Sequence, residues 1–383
     1  MTISETDAAP TRVRTARAAV LEAVGGSFTV ADIELAEPRA DEVVVRIVAA
    51  GVCHTDLVVQ GGGIPFMLPG VLGHEGAGVV EAVGAAVTRV RPGDKVLLSF
   101  DSCGQCSNCR DGHPALCVEF APRNLVGGTR LDGSTLLSRD GEAVGGGFFG
   151  QSSFSSTALV RERSVVKVAD DLSEDELASL APLGCGIQTG SGAVWNVLTP
   201  EPGATIAVFG VGAVGLSAIF AAAQSPLRQV IAIDLVDSRL ELAREFGATA
   251  TINAKTEDVT ERLRELTGGA GLDYAVETTA NTQVLSSAVL ALRSGGTIGV
   301  IGAPSEPGAA APIVVLDILF GKTIVGICEG DAETVAYVPT LVDLVRSGRF
   351  PLSKLTKFYG LDELNQAAAD MHSGATIKPI IRF

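Results

Sequence analysis

Residues 206–223 read IAVFGVGAVGLSAIFAAA, the longest uncharged apolar segment around which the rest of the sequence can be interpreted. Its 18 residues contain one hydroxyl and no charge, so by length and hydropathy they could form a membrane-spanning helix. Glycines at 210, 212 and 215 follow directly on an apolar run. Clustered glycines are typical of a tight turn rather than of a continuous helix. The stretch therefore predicts a buried strand, a tight turn and a buried helix rather than a membrane span.

The predicted turn, GVGAVG, has the glycine spacing of a dinucleotide-binding motif. Gly210 allows the tight turn, Gly212 lets a pyrophosphate approach the backbone, and Gly215 allows close packing of the helix on the strand. The phosphates would lie at the positive end of that helix. Asp234 ends the next apolar run, where an acid hydrogen-bonds the adenosine ribose. A carboxylate there would repel a 2′-phosphate, so the motif predicts NAD rather than NADP.

Beyond this turn, apolar runs alternate with helix-like segments. The predicted strands are Ile206–Phe209, Val230–Asp234, Tyr274–Glu277 and Thr297–Ile301, and the predicted helices are Gly215–Ala223, Ser238–Phe246 and Gln283–Leu292. Strands separated by helices are typical of a parallel α/β sheet with crossover connections. The tail after residue 327 loses the alternation and ends in a strand-like segment, Lys378–Phe383.

Upstream of the turn, the chain has short apolar runs separated by glycine and proline. The predicted strands there are Glu42–Val48, Gly76–Val83 and Asp94–Leu98. Leu172–Leu183 predicts a helix that is capped by Ser173 and carries acidic residues in its first turn. Met1–Ala16 is polar and lacks the apolar centre of a secretory signal. It predicts a disordered lead-in and a cytoplasmic protein.

Size and charge limit the partners. The chain has 383 residues, more than one domain usually contains, so we expect two domains. It carries 29 basic and 44 acidic side chains, a net charge of −15. This charge disfavours binding to a nucleic-acid backbone or to an anionic membrane surface. We therefore expect a small-molecule partner, no nucleic acid and no membrane.

Four cysteines lie within fifteen residues: Cys103, Cys106, Cys109 and Cys117. Four thiolates at this spacing suit a tetrahedral zinc site that has no open coordination position, so its role would be structural. An iron–sulfur cluster is the better alternative, because the spacing partly resembles that of ferredoxins. Four unrelated buried cysteines are a further alternative. Disulfides are not expected in a reducing cytosol.

A second group of metal-binding residue types precedes this loop. Cys53 lies in the sequence GVCHTD, and His74 and Glu75 follow 21 and 22 residues later. A zinc ion held by cysteine and histidine with one open position would be catalytic. Spacing alone also allows a small core cysteine and a hydrogen-bonded histidine.

The order of these motifs resembles the zinc-dependent medium-chain alcohol dehydrogenases, over about Ala18–Phe383. The resemblance implies a Rossmann parallel-sheet cofactor domain (188–326) inserted in a chaperonin-10-like β-barrel catalytic domain (1–187 and 327–383). The structural zinc loop would span about 100–118. It also implies an active site between the domains, two Zn²⁺ ions per subunit, NAD, and a homodimer or homotetramer. Family members associate through the last strand of the cofactor sheet, for which Ala311–Leu316 is the candidate edge.

The resemblance also implies roles for single residues. Three residues match ligands of the catalytic zinc: Cys53, His74 and Cys185. Glu75 matches a carboxylate beside the metal, Asp56 the acid that orients the ligand histidine, and Thr55 the hydroxyl that touches the substrate oxygen. Asp234 and Arg239 match residues around the adenosine ribose. The matched positions at the nicotinamide are Thr189, Val214 and Ile301, and those at the phosphates are His54 and Lys378.

Three stretches resemble the aryl-alcohol (benzyl-alcohol) dehydrogenase branch, which also takes allylic terpenoid alcohols such as geraniol. They are FFGQSSF (148–154), GCGIQTG (184–190) and EGD (329–331). Phe100, Phe148 and Phe149 would then form an apolar wall beside the zinc. The alternative is that they are ordinary core residues.

One position departs from many family members, which have a relay histidine where this chain has Val58. Valine cannot carry a proton. We therefore expect the proton to leave through Thr55, the cofactor ribose hydroxyls, and then water or His54.

The resemblance implies reversible oxidation of a primary aryl or allylic alcohol to the aldehyde, with hydride transfer to NAD. A formaldehyde or thiol-adduct dehydrogenase, or a short aliphatic alcohol dehydrogenase, is an alternative within the same family. A quinone-type oxidoreductase is disfavoured because it would lack the metal ligands present here. A non-catalytic NAD-binding protein is a distant alternative, for which a ligand or Thr55 should be missing.

Overall fold

The computed structural model describes residues 14–304, 306 and 308–383. Most of the predicted lead-in, Met1–Ala16, lies outside the described residues. Its last three residues are not a disordered lead-in, because they begin a strand, Arg14–Leu21, that pairs antiparallel with Phe28–Leu35. Ala16 is buried by this pairing, so the prediction was wrong there.

The strands in chain order are β1 (Arg14–Leu21), β2 (Phe28–Leu35), β3 (Glu42–Gly51), β4 (Gly70–Val71), β5 (Glu75–Val83), β6 (Lys95–Leu98), β7 (Leu137–Arg139), β8 (Glu142–Val144), β9 (Thr157–Arg161), β10 (Val165–Lys167), β11 (Thr205–Phe209), β12 (Gln229–Asp234), β13 (Ala250–Asn253), β14 (Leu272–Glu277), β15 (Leu292–Val300), β16 (Thr323–Gly326), β17 (Thr356–Gly360) and β18 (Lys378–Arg382). The α-helices are α1 (His54–Gln60), α2 (Ser107–Arg110), α3 (Phe120–Asn124), α4 (Glu174–Ser179), α5 (Gly186–Gly192), α6 (Ala213–Ala223), α7 (Asp237–Glu245), α8 (Val259–Leu266), α9 (Thr282–Ala291), α10 (Val315–Leu319), α11 (Thr334–Arg346) and α12 (Leu364–Ser373).

Two sheets form the β-barrel part of the molecule. One has the strand order β4-β1-β2-β7-β8 and the other β10-β6-β5-β3-β18-β17, with β9 also pairing with β3. The end of the chain returns to this part, because β18 pairs antiparallel with β3. Apolar side chains from both sheets, among them Val20, Val44 and Ile381, share one buried core. The predicted strands in this part are confirmed, each with slightly different ends.

The third sheet is parallel, in the order β13-β12-β11-β14-β15-β16. Its central strand, β11, is formed by the start of the apolar segment 206–223. Because side chains alternate along a strand, Ile206 and Val208 pack into the core on one face, and Ala207 and Phe209 into the core on the other. A strand buried on both faces explains the unbroken apolar run. The predicted α/β fold with a parallel sheet and a β-barrel is confirmed.

The predicted strand, turn and helix over residues 206–223 are confirmed as β11, a glycine turn and α6. None of the helices in the described part of the chain combines the length and apolar composition needed to cross a membrane.

Two predicted elements differ from the structure. The helix predicted over Leu172–Leu183 stops at Ser179 and is followed by a 3₁₀ turn at Ala181–Gly184, because Pro182 has no N–H to continue the helix. Its predicted cap is confirmed, since Ser173 Oγ accepts the Glu176 N–H at 3.2 Å. The proposed edge at Ala311–Leu316 is wrong, because the edge strand is β16 and residues 315–319 form α10.

The domain limits stay a prediction. The strands of the two barrel sheets lie within residues 14–167 and 356–382. Those of the parallel sheet lie within residues 205–326. The expected limit at residues 187 and 188 falls inside α5, a buried helix between the barrel and the parallel sheet.

Candidate active site

Three separate segments bring a cysteine, a histidine and a second cysteine together. Cys53 precedes α1, His74 precedes β5, and Cys185 precedes α5. Their donor atoms, with a carboxylate oxygen of Glu75, all lie within 4.8 Å of one another. The structure thus brings together the three residues matched to ligands of the catalytic zinc.

The imidazole of His74 is oriented by Asp56. Nδ1 of His74 lies 3.1 Å from Asp56 Oδ1, and both residues are fully buried. The same carboxylate accepts the N–H groups of Cys53 at 3.0 Å and Gly73 at 3.1 Å, so it is fixed by the backbone around both ligands. A carboxylate at Nδ1 places the ring proton there, which leaves the Nε2 lone pair free.

This donor set fits a zinc ion. His74 Nε2 is buried and has no hydrogen-bond partner among the described residues. A buried nitrogen without a partner is costly unless something binds it. Two sulfurs and one imidazole nitrogen are ligands that zinc takes in catalytic sites. Cys53, His74 and Cys185 would therefore hold the ion.

The ionisable groups of this cluster have shifted pKa values. A hydrogen bond from Cys185 holds the pKa of the Cys53 thiol well below its usual value. The same bond, together with burial, raises the pKa of Cys185. Burial lowers the pKa of His74, but the charges of Asp56 and Cys53 outweigh it and raise the pKa well above the usual value. Because zinc binds thiolates and neutral imidazole, loading the site would release these protons.

Glu75 is the fourth member of the cluster and is paired with Lys378. Glu75 Oε1 accepts the Lys378 ammonium at 2.8 Å, and the ammonium also donates to the Val52 carbonyl at 3.1 Å. Burial raises the pKa of Glu75 to about 7, and the charge of Lys378 opposes that rise. Lys378 is itself buried. The structure therefore places its amino group on Glu75, and a contact with a cofactor pyrophosphate stays a prediction.

A further carboxylate, that of Glu329, reaches the cluster, although sequence reasoning assigned it no role. Glu329 Oε1 lies 3.6 Å from Cys185 Sγ, and Glu329 Oε2 accepts the side-chain amide of Gln188 at 2.8 Å. Burial raises the pKa of Glu329 to about 7. The sequence marked this residue only as part of the EGD stretch, since no spacing rule connects positions 185 and 329.

Aromatic rings surround the histidine. Phe149 stacks on His74 with ring centroids 4.4 Å apart, and Phe148 meets both rings edge-on. Phe100 contacts Phe120, which in turn contacts Phe149. All three predicted wall residues are buried, and Phe148 is 0% exposed. Burial fits both a substrate wall and the core residues of the alternative interpretation, so the substrate-wall role of Phe100, Phe148 and Phe149 stays a prediction.

Thr55 and Val58 both lie on α1. The Cys53 thiol lies 3.7 Å from the Thr55 hydroxyl, so the structure places this hydroxyl beside the metal cluster. Val58 is buried. His54, in contrast, is exposed.

The glycine turn after β11 has the shape that its sequence predicts. Gly210 has a φ of +85°, a left-handed conformation that favours glycine. A Cβ at Gly215 would lie 1.9 Å from the Gly210 carbonyl oxygen, so no side chain fits there. A Cβ at Gly212 would meet nothing within 4 Å, which leaves open space in front of the turn. The turn therefore fits an approaching dinucleotide.

Asp234 orders this turn. Its Oδ2 accepts the Val211 N–H at 2.8 Å, and its Oδ1 accepts the N–H groups of Leu235 at 2.8 Å and Val236 at 3.0 Å. Arg239 lies at the start of α7, and its Nε is buried without a partner among the described residues.

The residues predicted at the nicotinamide lie close to the metal cluster or at the carboxyl end of a strand of the parallel sheet. Thr189 donates its hydroxyl to the Cys185 carbonyl at 2.8 Å. Val214 is half-buried at the start of α6, and a Cβ at Gly186 would meet its side chain at 3.7 Å. Ile301 is half-buried and directly follows β15. Helix α5 thus links the Cys185 end of the cluster to the glycine turn.

The four-cysteine loop forms a second cluster, with the sulfurs of Cys103, Cys106, Cys109 and Cys117 within 4.8 Å of one another. Backbone N–H groups point at these sulfurs, for example from Cys106 to Cys103 at 3.3 Å and from Cys103 to Cys117 at 3.3 Å. Such bonds stabilise thiolates. All seven cysteines are outside disulfides. Four converging sulfurs fit a closed zinc site.

Two family models match the chain, the alcohol dehydrogenase GroES-like domain over residues 39–170 and the zinc-binding dehydrogenase model over residues 213–347. The chain is also 44% identical over 370 residues to geraniol dehydrogenase from Castellaniella defragrans, an alignment that covers 96% of this chain and 98% of that one. The chain belongs to the zinc-binding alcohol dehydrogenases. Its predicted resemblance to this family is confirmed, and the protein is an oxidoreductase that acts on alcohols.

Further similarities place this alcohol dehydrogenase beside the aryl-alcohol and geraniol branch. The crystal structure of benzyl alcohol dehydrogenase from Acinetobacter calcoaceticus matches with a TM-score of 0.91 and 44% identity, covering 97% of this chain and 99% of that one. S-(hydroxymethyl)glutathione dehydrogenase from Escherichia coli is 36% identical over 373 residues, which is 96% of this chain and 99% of that one.

Proposed function

We propose that this alcohol dehydrogenase oxidises primary aryl or allylic alcohols to aldehydes, reversibly, using zinc and NAD. The observation that carries the proposal concerns His74, whose Nε2 has no hydrogen-bond partner in the described part of the chain. This nitrogen lies within 4.8 Å of two cysteine sulfurs, and the imidazole stacks on the ring of Phe149. Names of relatives add to it, since one similar protein is a geraniol dehydrogenase and another a benzyl alcohol dehydrogenase.

The residues around the cluster divide the chemistry between them. Zinc, when bound, would supply a Lewis acid that lowers the pKa of the alcohol, and NAD would accept the hydride. Cys53, His74 and Cys185 would hold the ion, and Asp56 keeps the proton of His74 on Nδ1. The two thiolates would cancel the double positive charge of the ion.

The hydroxyl of Thr55 is placed to accept the alcohol proton. It lies beside Cys53, on the helix that follows this ligand. Val58, one turn further along the same helix, is apolar and buried. The proton would therefore pass from Thr55 to the cofactor ribose and then to water or to the exposed His54.

The substrate class rests on the aromatic surroundings of His74. Phe149 lies face to face with the ligand imidazole, so planar apolar groups line this side of the cluster. An unsaturated or aromatic group next to the reacting carbon would find apolar neighbours there. The similarity to S-(hydroxymethyl)glutathione dehydrogenase keeps a thiol-adduct substrate as the second candidate.

A second zinc ion is proposed for the four-cysteine loop, where it would be structural.

A homodimer or homotetramer is proposed because β16 lies at the edge of its sheet and apolar side chains nearby are exposed. These exposed residues are Val314, Val315, Leu316, Ile318, Leu319 and Phe320. A cytoplasmic location stays a prediction.

The test is the initial rate of NADH formation with benzyl alcohol, cinnamyl alcohol, geraniol, ethanol and hydroxymethyl-glutathione, with zinc measured on the same sample. We expect two zinc ions per chain and the highest kcat/KM with the aromatic or allylic alcohols. A preference for ethanol or for the thiol adduct would keep the chemistry and overturn the substrate class. A chain that binds NAD and zinc but oxidises none of these alcohols would overturn the proposal as a whole.

A further inference from the structure

The turn at residues 329–331, which carries Glu329 to the metal cluster, has an unusual backbone. Glu329, Gly330 and Asp331 have φ angles of +48°, +66° and +46°. Only glycine adopts this left-handed region without strain, so two of the three residues are held there by their surroundings. The 329–331 turn therefore depends on its contacts for its shape.

One set of contacts comes from the segment that begins at Cys185. Gln188 on α5 donates to Glu329 Oε2 at 2.8 Å, and Asn196 donates its side-chain amide to the Gly330 carbonyl at 3.0 Å. A Cβ at Gly192 would lie 2.4 Å from the Gly330 oxygen. The turn thus lies directly on the backbone of α5, and its shape and the position of the Cys185 sulfur depend on each other.

The other contact comes from the four-cysteine loop. His113 Nδ1 lies 2.6 Å from Asp331 Oδ2. His113 lies between Cys109 and Cys117 in sequence but is not among the four clustered residues. The side chain of His113 is 52% exposed and that of Asp331 only 15%. An exposed side chain of the loop therefore fixes a mostly buried carboxylate of the turn.

We propose that His113 is a positioning residue for the catalytic metal site. Through Asp331, His113 holds the 329–331 turn in its left-handed conformation. The turn then holds Glu329 against Cys185 and packs on α5. The four-cysteine loop then has a second role, since it stabilises the catalytic metal site as well as its own backbone. This inference rests on the proposed pair of zinc sites.

The experiment follows zinc release from the loaded protein to an excess of a coloured chelator. The phase that belongs to the catalytic site is the one missing from the Cys185→Ser variant. His113→Ala removes the contact with Asp331, and we expect it to accelerate that phase about tenfold, the lower end of the effect of losing outer contacts of a metal ligand. His113→Asn keeps a donor at the position of Nδ1, and we expect it to release zinc at nearly the wild-type rate.

Two further measurements separate the outcomes. His372→Ala removes another exposed histidine, on α12, and should leave both phases unchanged. A wild-type catalytic phase in His113→Ala would overturn the inference while leaving the proposed function intact. Equal acceleration of both phases with a lower Tm would also overturn it, because that result indicates general loosening. If the zinc content of the Cys185→Ser variant equals that of the wild type, the cluster of Cys53, His74 and Cys185 holds no zinc, which would overturn the proposed function and this inference together.

Discussion

The ring of Phe149 lies over the imidazole of His74, with centroids 4.4 Å apart and ring planes 20° apart. At the edge of the imidazole, Asp56 fixes Nδ1 through a hydrogen bond. The imidazole is thus held by one polar contact and by two aromatic contacts, since Phe148 also meets it edge-on, and all three come from buried residues. The hydrogen bond sets the direction of Nε2, and the stacked ring limits rotation of the imidazole out of that direction.

We expect Phe149→Leu to weaken catalytic zinc binding while the protein stays folded. The substitution keeps most of the apolar volume but loses the stacked ring, a contact worth about 1 kcal/mol. Zinc affinity should therefore fall about fivefold. A competition titration with a chelator of known affinity measures the change. Phe28→Leu is the matched control, because Phe28 meets Phe154 edge-on, away from the metal cluster. Equal affinity in both variants would contradict a role for the stack.

Gly51 makes room for the carboxylate of Glu75. A Cβ at Gly51 would lie 2.0 Å from Glu75 Oε2, so Gly51→Ala must displace the carboxylate from Lys378. Overpacking of this kind costs about 1–3 kcal/mol of unfolding free energy. Urea denaturation of the purified protein measures it.

The control for this prediction is Gly326→Ala. A Cβ there meets nothing within 4 Å, and we expect stability within about 0.5 kcal/mol of wild type. Adding Glu75→Asp to Gly51→Ala shortens the displaced side chain and should restore part of the loss. No recovery in the double variant would show that the strain arises elsewhere.

The features that could be predicted from the sequence are formed by residues that lie close together along the chain. The glycines of the turn, the apolar run of β11 and the clustered cysteines each act within a few residues of sequence, so their structures follow from composition and spacing. Cys185 could be matched as a ligand only through the family resemblance, because α5 brings it to His74 from a distant part of the chain.

The parts that sequence reasoning missed depend on tertiary contacts. Glu329 reaches Cys185 from a turn of three left-handed residues that contacts α5 and His113, which are distant from it in sequence. The edge of the sheet was misplaced at residues 311–316 because an apolar run near a sheet edge predicts a strand. In the structure this run leads into the short helix α10 instead. Apolar composition alone does not separate a short strand from a short helix.

Asp234 should determine the preference for NAD over NADP. A carboxylate next to a 2′-phosphate is a like-charge contact, which costs several kcal/mol. We expect Asp234→Asn to raise the ratio of kcat/KM with NADP to that with NAD by at least about tenfold. Asparagine can still accept the Val211 N–H, so the glycine turn should keep its shape. Asp237→Asn, in the first turn of the next helix, is the control. An unchanged ratio in Asp234→Asn would remove the residue from cofactor selection.

The route of the proton can be tested at Val58. Val58 follows Thr55 by three residues on α1, a spacing that puts both side chains on one face of the helix. Val58→His would place an imidazole one turn beyond the Thr55 hydroxyl, and burial at this position would lower its pKa from the usual value of about 6.5. If proton transfer limits the reaction, kcat for alcohol oxidation should rise below neutral pH, where the proposed route through ribose hydroxyls and water would be slowest. Val58→Asn is the control, because it is polar and similar in size but cannot titrate. A pH profile of kcat in Val58→His that matches the Val58→Asn profile would mean that the wild-type route already carries the proton fast enough.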